Sequence, residues 1–423
     1  MRIIQIVESL AIGDAVANDA VALDMLLRKM NFGGGIYVTN ENNIHKSYLH
    51  HIAEPVRLLP RLEESDIVLF HHAIANDFCY KLAELFCHKI LVYHNITPPH
   101  FFSGIHEGFQ NATKKGLDQL QEMNSEFDFC IADSEFNKLD LVKAGYSCPI
   151  FVCPVLVPFK DYDKEPNSKV IEKYSDGKKN ILFVGRLSPN KKQEDIIHTF
   201  AIYKKYYNTD ARLFLVGSDG VEQYAKSLRH YVKQLNLEDV YITGSVPFGD
   251  ILAYYAISDL FVCMSEHEGF CVPLLEAMYF KVPILAYESS AIPYTLGEAG
   301  VLLKNKDFQL AAGWVDCLIN DTELRRKIIQ EQSQRLEIYS YENVSTQMEC
   351  LLKNVVKILD IEDRQPIDMD ALQQTVSYDE HSFVLVMPIK ASDWEIAKRG
   401  LKYIWENLKP RKIVIISSSI LKK

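Results

Sequence analysis

Short apolar runs alternate with longer stretches whose apolar residues fall three and four apart, and this alternation begins twice along the chain. Such a pattern specifies βα units around a parallel sheet, because strands buried on both faces read as near-continuous apolar runs while the covering helices keep a 3.6-residue period. In the first series the expected strands are Arg2–Val7, Gly35–Thr39, Ile67–Phe70, Ile90–His94, Phe129–Ala132 and Ile150–Val152. A helix from about Asp19 to Lys29, ended by Asn31-Phe-Gly-Gly-Gly, completes the first βαβ unit. The second series starts at Asn180 and continues through Arg212–Val216, Val240–Thr243, Leu260–Cys263, Pro283–Ala286 and Gly300–Leu303. Its expected helices are Gln193–Tyr207, Val221–Gln234, Phe248–Tyr255 and Pro273–Tyr279.

Two α/β domains of Rossmann-like, doubly wound form follow from this repetition. Residues 1–156 form the first and 180–338 the second, joined by 157–179, a polar stretch with two prolines and no apolar period that reads as a linker. Residues 339–360 read as one more amphipathic helix, with Ser340 and Asn343 offering its start. Beyond an acidic stretch, residues 361–423 hold a strand at Phe383–Ile389, a helix at Trp394–Asn407 and a strand at Lys412–Ser417. One βαβ unit cannot cover both faces of its own sheet, so this partial C-terminal unit is expected to open a further domain of a longer polypeptide. An extension packed on the second domain is the alternative.

With 46 Lys plus Arg against 56 Asp plus Glu, the chain is net acidic, which argues against a nucleic-acid partner held by phosphate neutralisation. Its nine cysteines are odd in number and contain no C-x-x-C pair, which excludes a zinc ribbon, a thioredoxin-like motif and a fully paired disulfide framework. Reduced cysteines in apolar runs suit a cytoplasmic location. The N-terminal apolar stretch is broken by Gln5 and Glu8, so it does not read as a signal peptide, and no apolar run is long enough to span a membrane.

Ligands of open α/β sheets bind beyond the carboxyl ends of the strands, so the loops there carry the functional candidates. After Leu260–Cys263 comes Glu268-Gly-Phe-Cys-Val-Pro-Leu-Leu-Glu276, an acidic loop leading into a helix with proline in its first turn. A carboxylate suits vicinal sugar or ribose hydroxyls, and the amides of Gly269 and Phe270 suit phosphate or sugar oxygens. The same two glutamates could equally complement a positive helix end. After the strand at Asn180 comes Gly185-Arg-Leu-Ser-Pro-Asn-Lys, which places Arg186 and Lys191 at a strand exit; two solvated cations or a diphosphate site both fit.

The pairing of Gly185-Arg-Leu-Ser-Pro-Asn-Lys with Glu268-x7-Glu276 resembles family four of the retaining glycosyltransferases, of the GT-B fold, over roughly residues 1–360. The resemblance implies two Rossmann-like domains facing a cleft, with 339–360 crossing back to the first, acceptor-binding domain. Arg186 and Lys191 would hold the diphosphate of a nucleotide sugar, Glu276 the ribose, Glu268 with Gly269 and Phe270 the donor sugar, and Val246 would lie near the base. Gly13 falls in a loop matching the one that approaches the donor phosphate, with a single glycine where many members have two. Asp14 could bind acceptor or cap the next helix. His94 matches the active-site histidine, whose imidazole would hydrogen-bond the donor sugar at the reacting face.

His71, His72 and His100 suggest a metal, but adjacent histidines on a strand point to opposite faces, so His71 and His72 cannot share an ion. Asp161-Tyr-Asp163 and Asp368-Met-Asp370 end no buried strand and read as surface charge. No cofactor and no metal are therefore expected. The expected activity is metal-independent, retaining transfer of a hexose, mannose from GDP-mannose first, to a glycan or lipid-linked acceptor in bacterial surface polysaccharide or lipopolysaccharide synthesis. The resemblance also implies peripheral contact with the inner face of the membrane, and the C-terminal unit a fused second glycosyltransferase domain. A non-catalytic GT-B scaffold for a partner glycosyltransferase and a nucleotide-sugar epimerase are the alternatives.

Overall fold

The computed structural model describes residues 1–11 and 13–359, together with the strands 384–389 and 412–417. Met1–Asp360 form one compact unit and Ile361–Lys423 a second. The first unit contains two parallel sheets, which we call the first and second lobes.

The first lobe runs β1 (Arg2–Val7), α1 (Ala15–Lys29), β2 (Gly33–Val38), β3 (Ala53–Pro55), β4 (Ile67–His72), β5 (His88–Tyr93), α2 (Glu107–Glu122), β6 (Phe129–Ala132), α3 (Glu135–Lys143) and β7 (Ile150–Val152). Its seven strands are ordered β3-β2-β1-β4-β5-β6-β7 and all pair in parallel. The glycines expected to close the α1 connection instead open β2, where Gly34 lies so near β1 that a Cβ would meet the Ile3 carbonyl. The apolar pattern predicts neither α2 nor α3. The buried positions of α2 are Thr113, Gly116, Gln119 and Leu120, and those of α3 are Asn137 and Leu141, so neither helix offers a greasy stripe. Ser134 nevertheless caps α3, accepting from the Asn137 amide at 3.2 Å.

The connection between lobes, expected as a polar linker, carries secondary structure of its own. It holds a short 3-10 turn at Phe159–Asp163 and α4 (Ser168–Tyr174), and Phe159, Tyr162, Val170 and Tyr174 pack into the core of the second lobe. Its anchors follow no single period because they are divided between a short 3-10 turn and one two-turn helix. The second lobe continues with β8 (Lys179–Val184), α5 (Gln193–Tyr206), β9 (Ala211–Val216), α6 (Glu222–Gln234), β10 (Val240–Gly244), α7 (Phe248–Ala256), β11 (Leu260–Cys263), α8 (Val272–Tyr279), β12 (Ile284–Tyr287), α9 (Ile292–Leu296), β13 (Val301–Leu303), α10 (Phe308–Asn320) and α11 (Thr322–Ile338). Its strand order, β10-β9-β8-β11-β12-β13, reverses between β8 and β11, which places the crevice of a doubly wound sheet at those two strand ends.

From the second lobe the chain returns to the first. In α12 (Tyr341–Leu359), Val344, Met348, Leu351, Leu352 and Val355 share a core with Ile3, Leu23 and Leu69. In the second unit, β14 (Val384–Ile389) and β15 (Lys412–Ser417) pair in parallel. The helix expected at 394–407 lies outside the described residues.

Candidate active site

In the second lobe the strand-end loops after β8, β11 and β12 are tied to one another. The Asn190 side chain donates to the His267 carbonyl at 3.0 Å, and the Glu266 amide donates to the Asn190 carbonyl at 2.8 Å. Ser290 Oγ accepts from the Glu268 amide at 2.8 Å, and the Ser289 hydroxyl donates to the Ser265 carbonyl at 2.6 Å. This lattice brings two of the expected residues into contact: Lys191 Nζ lies 2.5 Å from Glu268 Oε2. Burial pulls the Lys191 pKa down, yet the adjoining Glu268 carboxylate outweighs it and the net shift is upward. An ammonium has three donors, so the pairing leaves Lys191 two more to offer.

Arg186 differs. It is exposed, its carbonyl is held by the Gln193 side chain at 3.1 Å, and its stem lies across Gly220 with the guanidinium 5.6 Å from the Phe109 ring centroid of the first lobe. Among the described residues it has no carboxylate partner.

Glu276 does not face Glu268. Its two carboxylate oxygens accept from Tyr162 Oη and Tyr255 Oη, each at 2.6 Å, so the connecting segment reaches the carboxylate from one side and α7 from the other. Desolvation raises the Glu276 pKa while both phenols oppose the shift. Each oxygen retains a lone pair, so a bridging diol remains an acceptable partner. The Phe270 side chain is buried in the core against Tyr339, which leaves its backbone as the part able to meet a ligand, and Val246 is half-buried just beyond β10.

In the first lobe, Gly13 sits in an exposed turn with φ of 79°. Asp14 is the α1 cap, accepting from the Ala17 amide at 3.0 Å, which is one of the two roles expected of it. His94, at the end of β5, is buried with both ring nitrogens engaged: Nδ1 lies 2.8 Å from Asp133 Oδ2 and Nε2 lies 2.8 Å from His71 Nδ1. A hydrogen bond from this imidazole to a donor sugar, as the resemblance implies, is not open in this arrangement, because each nitrogen already has a protein partner. Burial works against the His94 cation, but Asp133, Asp19 and Asp14 together hold its pKa above the ordinary value. Burial drives His71 well below its ordinary range, with the His94 charge adding to the effect.

The two lobes meet at this point. His267 Nε2 donates to Asn95 Oδ1 at 2.5 Å, and the Ser134 hydroxyl donates to the Gly269 carbonyl at 2.7 Å. A Cβ on Gly269 would stand 2.6 Å from the His94 carbonyl oxygen, so only glycine permits this approach. Asn95, at φ of 74°, is held there by Asn137 and Asp140, both 3.0 Å from its amide nitrogen.

Sequence reasoning named His94, Lys191, Glu268 and Glu276 but not Asp133, Asn95, Tyr162, Tyr255 or His267. The available signal was polar residues within apolar surroundings, such as Gln5 inside β1 and Asp19 on the buried face of α1.

Among the described residues, two groups hold ligand-type atoms within 4.8 Å of one another: Asp19 with His71 and His94, and Cys263 with Glu268 and Cys271. In the first, the Leu156 amide occupies Asp19 Oδ1 at 2.7 Å and His94 occupies His71 Nδ1. In the second, the Lys191 ammonium already neutralises Glu268. His71 and His72 do face opposite ways, His72 Nε2 meeting the Gly116 carbonyl at 2.9 Å. Asp161 pairs with Lys164 and Asp163 accepts from Tyr279, while 368–370 lies outside the described residues.

Residues 164–335 match the family model described as Glycosyl transferases group 1. The chain carries a group 1 glycosyltransferase domain. The chain is 26% identical over 318 residues to the N-acetyl-alpha-D-glucosaminyl L-malate synthase of Bacillus anthracis, covering 72% of this chain and 79% of that protein. It is 24% identical over 234 residues to the O-antigen chain mannosyltransferase B of Escherichia coli, covering 54% and 61% of the two chains. Among solved structures, Anabaena HepE in complex with UDP-glucose superposes with a TM-score of 0.65 at 19% identity, covering 84% of this chain and 99% of that one. The two-lobed arrangement is the GT-B fold. No helix among the described residues is long and apolar enough to cross a membrane.

Proposed function

We propose that this chain transfers a hexose from a nucleoside diphosphate sugar to a hydroxyl of a glycan or lipid-linked acceptor, with retention and without a metal, in bacterial surface polysaccharide synthesis. The observation that carries this reading is the exposed, carboxylate-free Arg186 beside the Lys191–Glu268 pair at the β8 and β11 strand ends. Those cations meet the charge of a departing diphosphate, which then takes the acceptor proton on the same face. Glu276 receives ribose hydroxyls, Glu268 and the Gly269 and Phe270 amides the donor sugar, and the Gly13 loop the donor phosphate. Closure of the Gly269 loop on the His94 strand end excludes water from the reacting atoms.

GDP-mannose is the donor we favour, in keeping with the similarity to an O-antigen mannosyltransferase. In this reading the first lobe binds the acceptor, the enzyme works at the inner face of the membrane, and residues 361–423 open a further glycosyltransferase domain. Incubation of the purified protein with GDP-mannose and a panel of UDP-sugars tests the reading through nucleotide release and product analysis. Release from GDP-mannose with a lipid-linked acceptor, abolished in Arg186→Ala and Glu276→Ala, is the expected result. Full activity in both variants overturns the site assignment.

A further inference from the structure

A run of hydrogen bonds starts at the cleft and ends deep in the first lobe. Asp133 accepts from His94 Nδ1 at 2.8 Å, His94 Nε2 meets His71 Nδ1 at 2.8 Å, His71 Nε2 meets Gln5 Oε1 at 3.0 Å, and Gln5 Nε2 donates to the Ala20 carbonyl at 3.0 Å. The two ends fix the protons between them. A backbone carbonyl only accepts, so the Gln5 amide nitrogen faces Ala20 and its Oε1 faces His71, which must therefore carry a hydrogen on Nε2. A carboxylate likewise only accepts, so His94 carries a hydrogen on Nδ1. One further hydrogen must lie between His71 and His94 to join them. The pair thus holds three ring protons, one more than two neutral imidazoles, and carries a single positive charge.

That charge belongs on His94. Asp133, just beyond β6, touches it, and Asp19 on α1 and Asp14 at the α1 cap also act on it; Asp19 lies within 4.8 Å of both rings, but His71 on β4 hydrogen-bonds only another imidazole and an amide and is fully desolvated. The histidine so fixed lies where the lobes meet, with its carbonyl against Gly269 and the next residue, Asn95, bonded to His267.

Resting on the transfer reading above, we propose that Asp133 and His71 are positioning residues, which keep His94 protonated and in one orientation at the strand end that meets the Glu268–Gly269 loop. Gln5 sets the tautomer of His71 from behind. None of the three need touch substrate. Because the working form is the imidazolium, activity is lost as pH rises through the His94 pKa. Removing the Asp133 charge lowers that pKa and brings the loss to more acidic pH.

The test is the pH profile of kcat for Asp133→Asn, with Asp133→Glu as the conservative control and with donor KM recorded throughout. The expected result is an alkaline limb displaced downward by about one pH unit or more, a donor KM within about threefold of wild type, and partial return of the limb in Asp133→Glu. A uniform loss at every pH, or an unmoved limb, overturns the proposal. Nitrogen-15 NMR of histidine-labelled wild-type protein, assigned with His94→Asn, reads the same protons without activity. A doubly protonated His94 at pH 7 beside a neutral, Nε2-protonated His71 is expected, and two neutral rings overturn the assignment. If no donor is consumed the transfer reading fails, and the NMR arm still decides the proton arrangement.

Discussion

The polar clusters of the two lobes face one another across the interlobe cleft but are built on opposite principles. In the first lobe, Asp133, His94, His71 and Gln5 satisfy one another in a dry interior, and the last bond ends on a backbone carbonyl. In the second, Arg186 is exposed without a carboxylate, Lys191 spends one of its donors on Glu268, and Glu276 is held by two phenols. A closed network fixes geometry, because any lost member leaves a buried partner unpaired. An open set of cations, by contrast, leaves its electrostatic demand for a ligand to meet. In the proposed reading the first lobe thus supplies a scaffold and the second a receptor for an anion.

The largest expected effect probes the open side. Glu276→Ala should lower transfer at least about a hundredfold, since it removes the proposed ribose acceptor and strands the hydroxyls of Tyr162 and Tyr255; steady-state assays with saturating acceptor measure this. Arg186→Ala should weaken nucleoside diphosphate binding by about ten- to a hundredfold with little change in thermal stability, because the side chain is exposed and loses no ion pair among the described residues, only its approach to Phe109. Calorimetric titration checks both halves of that statement. An unfolded Arg186→Ala protein would show that the open side is structural after all.

Lys191 lies between the two principles. Lys191→Met should cost about 3 kcal/mol in urea unfolding by leaving Glu268 buried and unpaired. Adding Glu268→Gln should recover most of that loss but not donor binding. Gly269→Ala forces a methyl against the His94 carbonyl and should slow transfer about tenfold while donor affinity stays within about threefold.

The smallest effect concerns the closed side. Burial holds the Asp19 pKa above the ordinary carboxylate range, so ionising it costs stability as pH rises past the unfolded value near about 4. Asp19→Asn retains an oxygen for the Leu156 amide. Its melting temperature should therefore gain on the wild type from pH 5 to pH 8, and a variant that loses ground over that range would make the Asp19 charge a necessary part of the network.

Much of the scaffold was legible in the chain. Arg2–Val7, Phe129–Ala132 and Leu260–Cys263 have the bounds their apolar runs indicate, because a strand buried on both faces carries its whole signal locally. The helices α2 and α3 were not legible, since they bury threonine, glycine and amide side chains against polar partners. Nor was the role of the connecting segment, whose Tyr162 looks like any linker tyrosine until its hydroxyl is found on Glu276. Asp14 shows the converse, a residue whose local capping chemistry sufficed to place it.

The sequence alone determined that Arg186, Lys191 and Glu268 follow the ends of strands, because spacing sets the order of βα units, and sheet topology places those ends at the crevice. Only the tertiary structure decided what those groups touch. Lys191 meets Glu268 across 77 residues, Tyr162 meets Glu276 across 114, and His94 meets Asp133 across 39. Periodicity reports burial, which is a property of each residue with its near neighbours. The partner of a buried charge is set by the folding together of distant segments, on which local spacing carries no information.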